Sequence, residues 1–502
     1  MPIYNIQLKQ RNGRHRADPK QPDRQILIEM LTLRFPKYGV MKKNLTRIAT
    51  VAAILLIVSS CKKEFDQNRG QGSDAVSSNL AGAKPNIILL IGDDIGREIP
   101  HYNGGSYNTP NLDFMAANGT QFRYFFSHPD GPPSRLALVT GKYCYRNWVH
   151  FGYLPQTSLT FANMLHDGGY STCFVGKWQF DGGDTSIHQH GFDKYIVFMP
   201  FNPIVNHGHD QYYRRYKNPY LYRDGRWLTS LEVKGKYSED MFYYYASKFI
   251  DSNKTKPFLL VYSHNLAQKP WVPTPDDPLF ATWDPSVDDE GRDSVIYFPE
   301  MVEYMDKTIG KIITKVQTSG LANNTYIFYV SDNATNTIIR SMYGGQLIRG
   351  SKDSTTFNGI NVPMLVYGPG MVPAGSVDTS LVDMTDFFPT FADISGLSKT
   401  LYKPLDGTTF YDNLLGAPVD QRKNVYCYWP REYQQKINLS YVTDYNYKLY
   451  DSLNGGKFYN IRLDKYEKSP IPDNQLTLKE QTIKGQFKKQ IDKGLAVWDA
   501  NH

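Results

Sequence analysis

Cysteine is scarce in this chain, with 4 in 502 residues. That number is too small for a protein held together by a disulfide framework. Apart from Cys61 the cysteines are Cys144, Cys173 and Cys427, whose spacing matches no zinc module and whose odd number leaves any pairing incomplete. We therefore expect these three to be buried or free thiols.

The chain also lacks an excess of charge where its folded part is expected. Residues 1–60 carry 11 Lys and Arg against 3 Asp and Glu, so the formal net charge of +7 comes from this segment. The rest of the chain is close to neutral, and we expect no nucleic acid partner. A composition of 41% hydrophobic, 14% aromatic and 21% charged residues excludes a mainly disordered, collagen-like or polytopic membrane protein.

Apolar runs long enough to span a bilayer comfortably are missing, and residues 48–58 come nearest. A basic stretch precedes this run, and small residues and Cys61 follow it, in the order of a signal peptide. Residues 58–61 resemble the bacterial lipobox, whose cysteine is lipidated and begins the mature chain. We expect an exported protein, lipid-anchored to a bacterial membrane in the periplasm or at the cell surface. The alternative is a plain signal peptide with an incidental cysteine.

The N-terminal part of the chain thus divides into three segments. We interpret residues 1–40, which are polar and basic, as a non-native upstream extension, and residues 41–60 as the lipoprotein signal peptide. Residues 61–83 form a polar segment rich in Gly, Ser and Asn, which is typical of a flexible tether. Folded structure is therefore expected from residue 84 onward.

Strand-like and helix-like patterns alternate beyond that point. Residues 85–91 form a continuous apolar run closed by Gly92, which is typical of a strand buried on both faces. Similar runs lie at 172–175, 258–262, 326–330 and 364–367, and helical patterns lie at 112–117, 159–166, 238–250, 302–316 and 384–394. The alternation predicts an α/β domain with a mostly parallel central sheet flanked by helices over residues 84–396.

The pattern changes towards the C-terminus. Short, aromatic, strand-like pieces separated by turns lie at 425–429, 440–443, 447–451 and 457–460, and a helix rich in Lys and Gln follows at 478–493. Residues 397–502 are therefore predicted to form a smaller antiparallel α+β subdomain.

Polar residues follow two of the predicted strands directly. Asp93 and Asp94 come after the first strand, and Asp332 and Asn333 after the fourth. In parallel sheets such positions line the ligand crevice. Carboxylates with an amide oxygen suit Ca²⁺ or Mg²⁺, but the same residues are also common in solvated loops, so the residues alone leave both readings open.

Many ordered motifs resemble those of one enzyme family. They lie at residues 85–96, 109–113, 133–141, 176–178, 190–193, 304–308, 331–333, 352, 362–363, 386–390 and 457–460. In this order they are similar to type I sulfatases of the alkaline phosphatase superfamily, across residues 84–467. The resemblance implies the alkaline-phosphatase-like α/β fold, sulfate-ester hydrolysis, and a sulfated glycan or other sulfate ester as the partner.

The resemblance also implies roles for individual residues. Asp93, Asp94, Asp332 and Asn333 match the metal ligands, with Ca²⁺ or Mg²⁺ as the ion. Arg135 matches the arginine that steadies the nucleophile, and Lys177 and Lys352 match the lysines that neutralise the sulfate. Each basic residue on its own would more often be an ordinary surface charge.

Three positions depart from the family pattern. The nucleophile is a cysteine or serine oxidised to formylglycine, but this position is Gly131, so no formylglycine is expected. Gln179 and Gln268 stand where the family has histidine. Glutamine donates hydrogen bonds but does not transfer protons at neutral pH. His264 lies nearby in the sequence, four residues out of register.

Three hypotheses therefore stay open. The first is a sulfatase-like protein for sulfated glycans whose hydrolytic activity is lost or strongly reduced, a pseudoenzyme. The second is a non-catalytic lipoprotein that binds sulfated glycans. The third is a metal-dependent phosphate or sulfate ester hydrolase that uses water or Asp130. Residues 210–222, which interleave aromatic and basic residues, could clamp an anionic sugar or form an ordinary surface insertion.

Overall fold

The computed structural model describes residues 84–201, 214–285, 294–417, 422–431 and 434–501. The predicted upstream extension, signal peptide and tether, with Cys61, lie outside the described residues and stay predictions. Among the helices of the described ranges, none combines the length and apolar character needed to cross a membrane.

Most strands of the described residues belong to one large sheet. In chain order the strands are β1 (Asn86–Gly92), β2 (Thr120–Phe126), β3 (Ser171–Lys177), β4 (Lys194–Phe198), β5 (Tyr222–Arg223), β6 (Arg226–Trp227), β7 (Phe258–Ser263), β8 (Thr325–Ser331), β9 (Arg340–Tyr343), β10 (Gln346–Arg349), β11 (Met364–Tyr367), β12 (Ser376–Asp383), β13 (Val425–Trp429), β14 (Leu439–Thr443), β15 (Tyr447–Tyr450) and β16 (Phe458–Asn460).

Helices connect most of these strands. They are α1 (Pro110–Asn118), α2 (Gly131–Thr140), α3 (Phe161–Asp167), α4 (Gly183–Gln189), α5 (Ser230–Val233), α6 (Ser238–Ser252), α7 (Phe298–Thr318), α8 (Phe357–Ile360), α9 (Phe387–Ser395), α10 (Tyr411–Leu414) and α11 (Leu478–Asn501).

One large sheet organises the α/β part, in the order β12-β2-β11-β8-β1-β7-β3-β4-β5-β6. Strands β8, β1, β7, β3 and β4 pair in parallel. Strand β11 is antiparallel to both of its neighbours, and β5 and β6 form an antiparallel edge. The predicted α/β class with a mostly parallel sheet is confirmed.

Strand β1 is buried along its whole length at the centre of this sheet. Ile87 and Leu89 pack into one hydrophobic core, while Ile88 and Leu90 pack into another on the opposite face. Helices α2, α3 and α9 contribute to the first core, and α1, α6 and α7 contribute to the second. Because both faces are covered by helices, the strand is apolar at every position rather than at alternate ones.

The C-terminal part forms a separate antiparallel sheet in the order β13-β14-β15-β16. Phe487 and Ile491 of α11 are buried in the same core as Tyr426 and Val442 of this sheet. The predicted antiparallel α+β subdomain is therefore confirmed. Its exact boundary at residue 397 stays a prediction, because this core continues into the α/β part.

Candidate functional site

The carboxyl ends of β1 and β8 meet at one edge of the sheet, because the two strands are parallel neighbours. Asp93 and Asp94 follow β1, Asp332 and Asn333 follow β8, and all four residues are buried. Asp93, Asp94 and Asp332 each contribute one carboxylate oxygen to a cluster. These three oxygens all lie within 4.8 Å of one another. The structure thus brings the predicted metal ligands together.

Local hydrogen bonds orient these side chains. Asn333 Nδ2 donates to Asp94 Oδ1 at 2.8 Å, which leaves the amide oxygen of Asn333 available. Asp93 Oδ1 and Asp94 Oδ2 are buried and accept no hydrogen bond from the described residues. A buried carboxylate oxygen without a donor is costly unless a cation satisfies it. The donor set therefore fits Ca²⁺ or Mg²⁺, which prefer oxygen ligands of this kind.

Each of the three carboxylates also pairs with one basic side chain. The pairs are Lys177 Nζ with Asp93 Oδ2 at 2.6 Å, Arg135 Nη2 with Asp332 Oδ2 at 2.9 Å, and Lys352 Nζ with Asp94 Oδ1 at 2.5 Å. The three basic residues singled out by the resemblance are thus all at the site. Together the six side chains carry no net formal charge. We call these six residues, with Asn333, the cation centre.

The three cations differ in how they are held. Arg135 is buried, and its Nη1 donates to Ser263 Oγ at 2.6 Å and to the Lys177 carbonyl at 3.1 Å. Burial lowers the pKa of Lys177, against the opposing effect of the Asp93 carboxylate. Burial also opposes the charge of Lys352, but the carboxylates around it, Asp94 first, raise its pKa well above the usual range. Lys352 therefore stays cationic, and with 17% of its side chain exposed it is the most accessible of the three.

Gly131 begins α2 and faces the same acids. A Cβ placed on this residue would lie 2.8 Å from Asp332 Oδ2 and 3.2 Å from Asn333 Oδ1. Any side chain here would start against the candidate metal ligands. Asp130 precedes it at the N-cap of α2, and burial raises the pKa of its carboxyl group to about 7.

The two glutamines are placed differently. Gln268 belongs to the site, since its Oε1 accepts hydrogen bonds from Lys177 Nζ at 2.9 Å and from Arg215 Nη1 at 2.7 Å. Gln179 lies two residues beyond β3, is mostly buried and has a positive φ of 63°. Its Oε1 accepts no hydrogen bond from the described residues. The structure therefore shows no hydrogen bond from the described part of the site to this oxygen.

The sequence patterns assigned no individual role to Arg215 or Ser263. Arg215 belongs to the aromatic and basic segment 210–222, of which the part from residue 214 is described. Its Nη1 also donates to the Lys269 carbonyl at 2.6 Å, so it anchors the segment that carries Gln268. The interleaved basic residues were the only sequence signal for this contact, and nothing in the sequence pointed to Ser263.

His264 does not replace the missing histidines. Side chains alternate across a strand, and Ser263 at the end of β7 faces Arg135. The His264 ring turns to the other side, where Nδ1 lies 3.0 Å from Glu239 Oε2 of α6 and the residue is fully buried. It is therefore part of the packing between β7 and α6.

Known proteins that are similar to this chain include sulfatases. The Sulfatase family model matches residues 85–397. The chain is 29% identical over 388 residues to N-acetylgalactosamine-6-sulfatase of Canis lupus familiaris, covering 70% of each chain. It is 27% identical over 390 residues to arylsulfatase A of Bos taurus, covering 70% of this chain and 72% of the relative.

Solved structures share the fold. Ps i-CgsB in complex with k-i-k-neocarrahexaose superposes with a TM-score of 0.67 at 24% identity, covering 83% of this chain and 93% of that chain. A protein solved with its substrate D-glucosamine-2-N,6-O-disulfate gives a TM-score of 0.66 at 20% identity, covering 83% and 99%. Since the family model covers more than half of the chain, this protein belongs to the sulfatase family.

Proposed function

We propose that this protein binds sulfate esters of glycans at a divalent cation centre and hydrolyses them weakly or not at all. One observation carries the proposal. The acids and cations of the site are assembled, while the residue that faces them at the start of α2 is Gly131, which has no side-chain nucleophile. The site thus retains the groups that hold an anion and lacks the group that attacks it.

The cation would be held by Asp93, Asp94, Asp332 and the amide oxygen of Asn333. When bound, Ca²⁺ or Mg²⁺ would supply Lewis-acid stabilisation of negative charge on the sulfate oxygens. We favour Ca²⁺, because it accepts several carboxylate and amide oxygens and tolerates irregular oxygen geometry.

Charge at the site explains how an anion is recognised. The acids and bases are paired one to one, so the six side chains are neutral together and a divalent cation leaves the centre positive. Lys352 is the cation that a ligand reaches, since it is the most exposed of the three. Arg135 is a positioning residue, because it joins Asp332 to Ser263 and to the end of β3.

Turnover needs groups that are missing from these positions. An attack on sulfur requires an oxygen nucleophile held close and in line, and Gly131 provides none. The leaving alcohol requires a proton donor, and Gln268 is a hydrogen-bonding group held by Lys177 and Arg215. Loss of general acid–base catalysis alone typically costs about 10²–10⁴-fold in rate.

The substrate class follows from the relatives. The relative from Canis lupus familiaris is named N-acetylgalactosamine-6-sulfatase, and a structural neighbour was solved with a doubly sulfated glucosamine. Another neighbour holds an oligosaccharide, k-i-k-neocarrahexaose. We therefore assign sulfated glycans as the ligands of this chain as well.

A turnover assay combined with a binding assay tests the proposal. Purified protein is given 4-nitrophenyl sulfate and sulfated glycans with Ca²⁺, and release of sulfate is compared with that of Lys352→Ala. We expect no sulfate release above this variant, together with calorimetric binding that Lys352→Ala weakens. Ordinary sulfatase turnover by the wild type would overturn the assignment of Gly131 as the empty nucleophile position.

Asp130 supports a second candidate, a metal-dependent ester hydrolase without formylglycine. Its carboxyl group is buried next to Gly131, and a pKa near 7 suits a general base at neutral pH. Measurable hydrolysis of 4-nitrophenyl phosphate or sulfate that disappears in Asp130→Asn would favour this candidate. Activity unchanged in that variant would exclude Asp130.

We further propose that Cys61 is the lipidated first residue of the mature protein, which would place the folded part outside the cytoplasm. The basic stretch, the short apolar run and the small residues before Cys61 support this. Mass spectrometry of the membrane fraction is the test. A soluble product that keeps residues before Cys61 would contradict it.

A further inference from the structure

Arg215 lies beside the cation centre without belonging to its acid–base pairs. Gln268 Oε1 accepts hydrogen bonds from Lys177 Nζ at 2.9 Å and from Arg215 Nη1 at 2.7 Å, so a single oxygen atom joins the two cations. The ammonium group of Lys177 is in turn paired with the Asp93 carboxylate. Arg215 is therefore next to the centre at which the proposed function holds a sulfate ester.

The charge of Arg215 has no carboxylate partner in the described part of the chain. Each of the three acids of the cation centre is already paired with its own base. Nη1 of Arg215 donates to two neutral oxygens, those of the Gln268 side chain and of the Lys269 carbonyl. Since the six charged side chains of the centre are neutral together, Arg215 adds one uncompensated positive charge beside them.

Two further acids near the centre do not balance this charge. Asp353 N donates to the Pro129 carbonyl at 2.9 Å, which places Asp130 and Asp353 on the side of Lys352. Burial raises the pKa of both carboxyl groups, that of Asp130 to about 7, which reduces their negative charge at neutral pH. The contacts of Arg215 are with the opposite side, the segment that carries Gln268.

The charge of Arg215 also reaches the cation centre through space. Burial is the main cause that lowers the pKa of Lys177, and the nearby Arg215 guanidinium lowers it further. Like charges held close together repel one another, and a negatively charged group beside them relieves this repulsion. An anion next to Arg215 is therefore favoured by charge.

The guanidinium group is held in place and within reach of a ligand. The Lys269 carbonyl accepts from its Nη1 at 2.6 Å, and its Cζ lies 5.2 Å from the centroid of the Phe198 ring. Arg215 as a whole is only half-buried. Its Nε is enclosed, whereas its Nη2 is not enclosed and donates no hydrogen bond to the described residues. Nη2 can therefore donate to a ligand, and little side-chain freedom is lost when it does.

We propose that Arg215 selects ligands that carry a second anionic group, a sulfate or a carboxylate, beside the sulfate ester at the cation centre. The inference rests on the proposed function, because the first sulfate group must be bound there. A guanidinium group forms charge-assisted hydrogen bonds with both kinds of anion. A sugar with one sulfate group leaves the charge of Arg215 without a partner. The protein therefore prefers doubly anionic sugars to singly sulfated ones.

Calorimetric titration with matched pairs of ligands in the presence of Ca²⁺ tests this preference. The first pair is N-acetylgalactosamine 6-sulfate and N-acetylgalactosamine 4,6-disulfate, and the second is D-glucosamine 6-O-sulfate and D-glucosamine 2-N,6-O-disulfate. The third pair consists of N-acetylgalactosamine 6-sulfate linked to glucose or to glucuronic acid. In at least one pair we expect wild type to bind the doubly anionic member about tenfold more tightly, as a charge-assisted hydrogen bond allows. The pair that shows the effect tells whether the second group is a sulfate or a carboxylate.

Two substitutions of Arg215 separate its charge from its shape. Arg215→Gln removes the charge, and we expect it to abolish the preference while binding of the singly sulfated member stays nearly unchanged. Arg215→Lys keeps the charge but loses the planar group, and we expect it to retain part of the preference. Should Arg215→Gln fail to fold, Arg215→Lys still decides, since an undiminished preference in it would contradict recognition by the guanidinium group.

The neighbouring Arg214 provides a matched control. It is also half-buried, and its Cζ lies 5.4 Å from the centroid of the Tyr220 ring. No hydrogen bond joins it to Gln268 within the described residues. Arg214→Gln removes the same charge from the same segment and should keep the full preference. An equal loss of preference in Arg214→Gln and Arg215→Gln would show that only the overall charge of the segment matters, and would overturn the inference.

The outcomes separate this inference from the proposed function. If wild type binds the singly sulfated members and shows equal affinity within every pair, the role of Arg215 is wrong and the proposed function stands. If Arg215→Gln weakens both members of a pair equally, Arg215 only holds the segment with Gln268, and the inference is wrong as well. If wild type binds none of the ligands at millimolar concentration, the proposed function fails and the inference fails with it.

Discussion

Gly131 is the residue on which the proposed loss of hydrolysis depends most directly. We predict that Gly131→Cys, produced together with a formylglycine-generating enzyme, recovers little sulfatase activity alone and more when Gln179→His and Gln268→His are added. A Cβ here meets Asp332 Oδ2 at 2.8 Å, so the carboxylate must give way by a few tenths of an ångström. Sulfate release from 4-nitrophenyl sulfate is the measurement.

The control for this series is Gly131→Ala, which adds the Cβ without a nucleophile. It should stay inactive with or without the two histidines. Equal activity in Gly131→Ala and Gly131→Cys would show that the nucleophile lies elsewhere. Full activity in Gly131→Cys alone would show that Gln179 and Gln268 do not limit the reaction.

His128 gives the protein a defined response to acid. It is buried, and burial lowers its pKa to about 4, against the opposing effect of Asp383. The unfolded chain takes up this proton near pH 6.5, whereas the folded protein does so only near pH 4. This residue therefore adds stability above pH 6.5, which is lost as the pH falls towards 4 and amounts to about 3 kcal/mol in full.

We predict that His128→Gln makes the protein less sensitive to acid. The free energy of unfolding, measured with urea at pH 7.5 and at pH 4.5, should fall less in His128→Gln than in wild type. His150, which is exposed, is the control, and His150→Gln should behave as wild type. An unchanged pH dependence in His128→Gln would mean that His128 takes up its proton at the same pH in the folded and the unfolded protein.

The sequence predicted the acids of the site but not all of its contacts. Asp93 and Asp332 follow apolar runs directly, and parallel strands place such residues at one edge. The orientation of His264 depends on which face of β7 each side chain takes, and the contact of Arg215 with Gln268 joins residues 53 positions apart in the chain. These features arise from tertiary structure, which a single run of residues does not encode.

At the scale of elements, two glycines of α11 offer a paired experiment. A Cβ at Gly494 would meet the Tyr426 hydroxyl at 2.4 Å, whereas a Cβ at Gly485 would meet nothing within 4 Å. We predict that Gly485→Ala stabilises the protein by about 0.5–1 kcal/mol through helix propensity. Gly494→Ala should destabilise it by about 1–3 kcal/mol, because α11 must move off the small sheet.

Thermal unfolding of the two variants beside wild type provides the measurement. Opposite changes in Tm are expected. A rise in Tm for Gly494→Ala would mean that the Tyr426 side chain yields at little cost and that the packing of α11 is loose.

Strands were predicted correctly where their residues form a continuous apolar run, and helices where apolar residues recur at helical spacing. The predicted strand 364–367 matches β11 and 425–429 matches β13, while the predicted helix 302–316 lies inside α7. Strand β2 was missed, because one of its faces is partly exposed and its apolar residues are interrupted. Helix α2 was also missed, since it begins with a glycine and two prolines that read as a turn. The antiparallel direction of β11 depends on the chain path and left no local signal.

At the scale of the whole molecule, the charge balance of the cation centre predicts coupled binding. We predict that Ca²⁺ raises the Tm by a few degrees, as ligands do when they are present about 100-fold above Kd. A sulfated glycan should tighten Ca²⁺ binding, because the cation leaves the centre positive. By thermodynamic linkage Ca²⁺ must tighten glycan binding by the same factor.

Thermal shift and calorimetry with and without Ca²⁺ provide the measurements. Asp94→Asn with Asp332→Asn is the control, since it removes two proposed ligands and should abolish the response to Ca²⁺. No shift in wild type at millimolar Ca²⁺ would contradict a Ca²⁺ centre. Independent binding of the two ligands would contradict the shared site.

The adjacency of β1 and β8 has a consequence for how the protein is made. Asn333 and Asp94 are 239 residues apart in the chain, and Lys352 and Asp94 are 258 residues apart. At about 5–20 residues per second a ribosome needs roughly 10 to 50 s to add that length. During this interval the apolar strand β1 has emerged without β8 beside it, so its unpaired edge is open to aggregation until β8 is synthesised.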